Sequence, residues 1–103
     1  MRTIGHFIGG KIVPGSSGRT APVFDPNTGE VQAEVALAAK AEVEAAIANA
    51  AEAQPGWAAT NPQRRARVMM KFVDLLNQNM DELARLLSSE HGKTIPDAKG
   101  DVQ

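Results

Sequence analysis

The hydrophobic residues of this 103-residue chain change their spacing near Lys40. From Val31 to Leu37 apolar and polar residues alternate, which is the pattern of a half-buried strand. After Lys40 the apolar residues recur at three- and four-residue steps, which is the pattern of an amphipathic helix. We therefore predict an α+β segment, with two β-hairpins in residues 3–37, then two long helices and the start of a third in residues 40–103.

Turn residues define the two predicted hairpins. In HFIGGKIV, Gly9 and Gly10 separate two short apolar runs, and glycine accepts the positive φ of a two-residue turn at little cost. In TAPVFDPNTGEVQAEVAL, Asp25 and Pro26 suit the first two positions of a type I turn. Gly29 suits the left-handed residue that follows this turn.

Proline and glycine also mark the predicted end of the first helix. This helix begins near Lys40, where neither Ala39 nor Lys40 offers a side chain that could cap it. We expect it to end near Gln54, because Pro55 and Gly56 follow and both disfavour a helix interior.

The second helix is predicted to be the longest element. It should begin at Pro62 with Asn61 as its N-cap and end near His91, with Gly92 as the left-handed residue after it. Thr94 then caps the start of a third helix.

The second helix carries a continuous apolar stripe that we expect to be buried. We also expect Trp57 and Phe72 to fill the core between the first two helices. Two apolar helices and two short hairpins normally need more sheet to cover them, so the chain alone should expose a large apolar patch. The stripe comprises Val68, Met69, Phe72, Val73, Leu76, Met80, Leu83, Leu86 and Leu87.

Composition argues against several classes of partner. The formal net charge of −1 gives no basic excess for binding nucleic acid. The absence of cysteine removes disulfides, thiolate metal ligands and a cysteine nucleophile. No apolar run approaches the ~20 residues of a membrane span, and the start lacks the features of a secretory or transit signal. We therefore expect a cytoplasmic protein without nucleic-acid or membrane partners.

No set of residues predicts a catalytic, cofactor-binding or metal site. Gly92, Lys93 and Thr94 match the end of a phosphate-binding loop, but Leu87 stands where that motif needs glycine, and a helix precedes it. We interpret Gly92 as a helix C-cap and Thr94 as an N-cap. The alternative is an anion bound near Lys93 at the helix N-terminus. The glycines of GGKIVPGSSG are followed by a strand and a loop, whereas a dinucleotide fingerprint opens a helix.

The remaining charged side chains are predicted to face solvent. Arg64, Arg65 and Arg67 could contact a phosphate or RNA, but a solvated helix face is favoured because no second basic cluster joins them. Solvated helix faces, not a catalytic carboxylate pair, are predicted for Glu42 with Glu44 and for Asp81 with Glu82. The histidines are too isolated for a metal site: we expect His6 at a strand edge and His91 in the last turn of a helix.

The order and wording of these elements resemble the N-terminus of the aldehyde dehydrogenase superfamily. FIGGKIV, FDPNTGEVQAEV, AAEAQPGWAAT and RRARVMMKFVDLLNQNMDELARLLSSEHGKT follow one another as in that family. Within it, the ending SSEHGKTIPDAKGDVQ is most similar to the CoA-acylating methylmalonate (malonate) semialdehyde dehydrogenases. The resemblance implies an α/β parent protein, in which residues 1–103 are the N-terminal segment of a Rossmann-type NAD-binding domain, without the catalytic and oligomerisation domains.

The resemblance also implies a parent enzyme that oxidises methylmalonate or malonate semialdehyde to an acyl-CoA, using NAD, CoA and a cysteine nucleophile. No catalytic or cofactor residue of the family falls on these 103 positions, so the chain alone is expected to be inactive. The implied partners are the remainder of the parent chain, a small semialdehyde substrate and the other subunits of a homotetramer. The alternatives are a segment of a non-acylating NAD(P)-dependent aldehyde dehydrogenase and a free-standing, non-catalytic interaction module.

Overall fold

The computed structural model describes residues 1–103 and confirms the α+β class. The strands are β1 (Arg2–Ile4), β2 (His6–Ile8), β3 (Lys11–Val13), β4 (Thr20–Phe24) and β5 (Val31–Ala36). The helices are α1 (Lys40–Ala59), α2 (Pro62–Gln78), α3 (Met80–His91) and α4 (Ile95–Val102). The chain forms two compact units, the first from Met1–Val23 and Val31–Ala59, the second from Phe24–Glu30 and Thr60–Gln103.

Both predicted hairpins are present. Strands β2 and β3 pair antiparallel with Phe7 opposite Ile12, and Gly9 and Gly10 between them have φ of 62° and 78°. Positive φ at both positions is what a two-residue turn with the strands' own twist requires. Strands β4 and β5 are neighbours in a three-stranded sheet of order β1-β5-β4.

The turn between β4 and β5 is closed by local hydrogen bonds within the second unit. The Gly29 N–H donates to the Asp25 carbonyl at 2.8 Å, and the Asn27 N–H donates to the Asp25 carboxylate at 2.8 Å. Gly29 has φ of 77°, as predicted. An aspartate that bonds its own turn in this way fixes the chain reversal without help from other elements.

Strand β1 was not among the predicted elements. It pairs in parallel with β5, and the register runs from Arg2 opposite Ala33 to Ile4 opposite Val35. A three-residue strand is too short to show an alternating pattern. Its partner, β5, is also distant in sequence, so no turn between the two strands predicts their pairing.

The predicted end of the first helix at Gln54 is wrong. Helix α1 continues through Pro55 and Gly56 to Ala59. Proline costs about 3 kcal/mol and glycine about 1 kcal/mol in a helix interior, relative to alanine. The alanine-rich flanks favour a helix on either side, but their propensity alone does not offset this cost.

The predicted second helix is interrupted near its middle. Asn79, with φ −111° and ψ 17°, separates α2 from α3. Its backbone N–H donates to the Leu75 and Leu76 carbonyls, and its side-chain amide donates to the Leu75 carbonyl at 2.8 Å. Asparagine competes for backbone groups in this way and so favours helix ends over helix interiors.

The other predicted helix ends are confirmed. The Asn61 side chain accepts from the Gln63 N–H at 2.8 Å, and Pro62 occupies the first helical position. Gly92 is left-handed with φ of 91°. Thr94 caps α4 by accepting from the Asp97 N–H at 3.4 Å.

The expected burial of the apolar stripe is wrong for these 103 residues. The buried hydrophobic residues are all alanines: Ala33, Ala84 and Ala98. Phe72 and Val73, in the middle of the stripe, are 51% and 52% exposed, and Trp57 is 45% exposed. Trp57 and Phe72 therefore fill no core. These exposures agree with the expected apolar patch.

None of the four helices combines the length and the hydropathy that a membrane span requires.

Candidate functional site

The most organised polar cluster in the first unit surrounds Glu42, in the first turn of α1. One carboxylate oxygen accepts from both the backbone N–H and the hydroxyl of Ser16, each at 2.5 Å. The other oxygen accepts from the Ala39 N–H at 2.8 Å. Glu42 therefore caps its own helix from the third position and also holds a distant loop against the helix N-terminus.

The expectation that Glu42 faces solvent is wrong, whereas the same expectation for Glu44 holds. The Glu42 side chain is 16% exposed. Glu44 is 64% exposed and pairs only at 3.7 Å with Lys40, itself 90% exposed. The position of Glu42 in the sequence could have predicted this role. A glutamate three residues after the N-cap position, here Ala39, is the acidic half of a capping box even when the N-cap side chain is absent.

These hydrogen bonds stabilise the ionised form of Glu42. The Ser16 hydroxyl is the main cause, followed by the backbone N–H groups of Ala39 and Ser16. Together they lower the pKa of Glu42 from its ordinary value of 4.5 to about 2. Donors that bond a carboxylate favour its charged form. Glu42 is therefore an anion at neutral pH, held by neutral donors.

His6 lies on the other side of this carboxylate. Its Nε2 atom is 3.5 Å from Glu42 Oε2, is buried and makes no hydrogen bond. In a nucleophilic triad the imidazole stands between the serine hydroxyl and the acid, where it takes up the serine proton. Here the carboxylate of Glu42 stands between Ser16 and His6, so the imidazole is not placed to activate the hydroxyl.

The loop between β3 and β4 is tied to the β5–α1 connection by two further bonds. The Ser17 hydroxyl donates to the Leu37 carbonyl at 2.5 Å, and the Arg19 guanidinium donates to the Ala38 carbonyl at 3.0 Å. Gly15 allows the close approach, because a Cβ added there would lie 2.8 Å from the Ala36 Cβ. The loop is thus a fixed part of the first unit.

In the second unit, the Gly92–Thr94 segment is also held by side chains. The Ser88 hydroxyl donates to the Lys93 carbonyl at 2.7 Å. The Lys93 ammonium forms an ion pair with Asp101 of α4. The positive charge of Lys93 is thus already paired with a carboxylate of α4. This pairing disfavours the alternative of an anion bound near Lys93 at the N-terminus of α4. Gly92 and Thr94 act as the predicted caps.

A second ion pair links α3 to α4. Lys99 Nζ lies 3.0 Å from Asp81 Oδ1, and both side chains are substantially exposed. The hydrogen bond from Lys99 and its positive charge lower the pKa of the Asp81 carboxyl. Because exposed pairs are screened by solvent, this contact adds little to stability.

The arginine cluster is only partly a solvated face. Arg64 and Arg67 are exposed, as expected. Arg65 is half-buried, and its Nε–H donates to the Thr60 carbonyl at 3.1 Å. Arg65 therefore closes the turn before α2, a role that the sequence pattern did not indicate.

Both polar clusters serve to fix one element against another. Within the described residues 1–103, no three His, Asp or Glu side chains lie close enough to hold a metal ion. Each carboxylate described above is already bonded to serine, backbone amide or lysine. Apart from the buried His6 Nε2, which makes no hydrogen bond, the polar groups of these clusters bond to one another or to the backbone, as in a structural scaffold.

This scaffold matches a known enzyme fold. The model of the aldehyde dehydrogenase family matches residues 12–103, so the chain belongs to that family. The resemblance stated from the sequence is confirmed. The chain corresponds to the N-terminal region and spans about a fifth of the length of the curated relatives it matches.

Three relatives illustrate the similarity. A crystal structure of a candidate methylmalonate-semialdehyde dehydrogenase from Sinorhizobium meliloti 1021, complexed with NAD, is 66% identical with a TM-score of 0.94 over 98% of this chain and 21% of that chain. The human mitochondrial methylmalonate-semialdehyde/malonate-semialdehyde dehydrogenase (acylating) is 42% identical over 97% of this chain and 19% of its own length. The 2-aminomuconic semialdehyde dehydrogenase of Bos taurus is 46% identical over 87% of this chain and 18% of its own length.

Proposed function

We propose that these residues are the N-terminal scaffold of an enzyme that oxidises methylmalonate or malonate semialdehyde to an acyl-CoA. NAD would accept the hydride and CoA would accept the acyl group. The observation that carries the proposal is the 66% identity to a candidate methylmalonate-semialdehyde dehydrogenase, at a TM-score of 0.94. The NAD in that structure and the acylating activity in the human relative's name support the two cofactors.

The segment would contribute no reacting group to this chemistry. It contains no cysteine to form the thioester. Its polar clusters, centred on Glu42 and on Lys93, hold its own elements in place. Its contribution is therefore structural, and residues 1–103 alone should produce no NADH from a semialdehyde.

We further propose that the remainder of a longer polypeptide covers the apolar stripe of α2. Val68, Met69, Phe72 and Val73 are each between 51% and 54% exposed in this chain. A contiguous apolar surface of this kind is a place where another part of a protein packs. The same backbone occurs in a chain about five times as long, of which this chain covers 21%.

A non-acylating aldehyde dehydrogenase is the second candidate. The bovine 2-aminomuconic semialdehyde dehydrogenase is 46% identical to this segment, about as similar as the acylating human relative. Sequence identity over these residues therefore does little to distinguish between the substrates of these two relatives. The ending DAKGDVQ and the higher identity to the Sinorhizobium protein favour a methylmalonate-semialdehyde dehydrogenase, and the human relative with that activity is named as acylating.

The deciding experiment is an assay of the full-length protein from the source gene. We expect NADH from malonate or methylmalonate semialdehyde, with turnover that depends on CoA and a matching yield of acyl-CoA by mass spectrometry. NADH with free acid as the product, whether CoA is present or absent, would support the non-acylating enzyme. No NADH from any aldehyde, together with a cooperatively folding 10.9 kDa protein, would support the interaction module.

Two further parts of the proposal concern the whole protein. We propose a homotetramer, which light scattering on the full-length protein tests directly, and a monomer would contradict it. We also propose a cytoplasmic location, which cell fractionation tests.

A further inference from the structure

We draw no further inference here: the strongest candidate, the apolar cavity of the first unit lined by Phe7, Ile8, Val43 and Ile47, carries none because nothing in the structure shows what fills or covers it.

Discussion

Glu42 accepts two hydrogen bonds from Ser16, a residue 26 positions earlier in the chain, and each is 2.5 Å long. The same carboxylate accepts the Ala39 N–H at the start of α1. One side chain thus joins the loop before β4 to the N-terminus of the longest helix. Because hydrogen bonds to a charged acceptor are among the stronger ones in proteins, Glu42 should control the local order of both segments.

We expect Glu42→Gln to loosen the Ser16 loop and the start of α1 together. The amide keeps the size of the side chain but removes the charge that strengthens its hydrogen bonds. Hydrogen exchange on the full-length protein should show faster exchange at the Ser16 and Ala39 amides. Glu44→Gln is the matched control and should leave both amides unchanged, because Glu44 is exposed. Equal exchange in the two variants would show that the Ser16–Glu42 contact is not formed in solution.

The lowered pKa of Glu42 predicts a pH-dependent contribution to stability. A carboxyl whose pKa is depressed on folding stabilises the folded state above its unfolded pKa and loses that contribution as pH falls. For Glu42 the contribution should be complete above its ordinary value of 4.5 and should disappear towards its folded value of about 2. The Tm difference between the wild type and Glu42→Gln should therefore be constant near neutral pH and shrink below about pH 4.5. A difference that does not change with pH over this range would contradict the assignment.

The sequence predicts those features of the fold that depend on neighbouring residues. The turns at Gly9–Gly10 and Gly29, and the caps at Asn61 and Gly92, arise from local backbone preferences and were predicted correctly. The end of α1 was not predicted correctly, because the helix continues through Pro55 and Gly56 against the local preference of both residues.

The polar clusters were largely beyond prediction for a different physical reason. Glu42 and Ser16 are 26 residues apart, and neither residue type identifies its partner. The interruption at Asn79 depends on whether an asparagine side chain bonds to a carbonyl one turn earlier or points to solvent, and both are compatible with a helical pattern.

The prediction that the apolar stripe is buried was wrong because periodicity shows which face of a helix is apolar but not what covers that face.

Removing the N-cap of α2 should cost more than removing that of α4. Asn61→Ala should destabilise the protein by about 1 kcal/mol, the usual cost of losing an N-cap side chain. Thr94→Ala should cost less, because its bond from the Asp97 N–H is 3.4 Å long, against 2.8 Å for the bond at Asn61. Urea unfolding of both variants measures the two costs. The reverse order would show that the longer bond at Thr94 is the stronger one in solution.

A methyl group at Gly92 should be destabilising, whereas one at Gly100 should not. Gly92 has φ of 91°, and an added Cβ would lie 3.1 Å from the Pro26 Cγ. Gly92→Ala should therefore lower the free energy of unfolding by at least about 1–2 kcal/mol, the usual cost of a left-handed conformation for a residue with a side chain. Gly100 lies inside α4 with open space around its Cα, so Gly100→Ala should stabilise by roughly 0.5–1 kcal/mol. Thermal unfolding of the two variants should shift Tm in opposite directions, and a shift in the same direction would contradict the geometry.

A charge in the apolar stripe of α2 should have opposite effects on the isolated segment and on the full-length protein. Val73 is 52% exposed in residues 1–103, so Val73→Asp should reduce self-association of the isolated segment, measured by sedimentation. In the full-length protein the same change should destabilise by roughly 1.5–3 kcal/mol or more, because full burial of valine is worth that much. Asp74→Asn, on an adjacent exposed position, is the control and should change neither measurement appreciably. If Val73→Asp leaves the full-length protein as stable as the wild type, the stripe stays exposed there, and the proposed packing of α2 against the remainder of the chain is wrong.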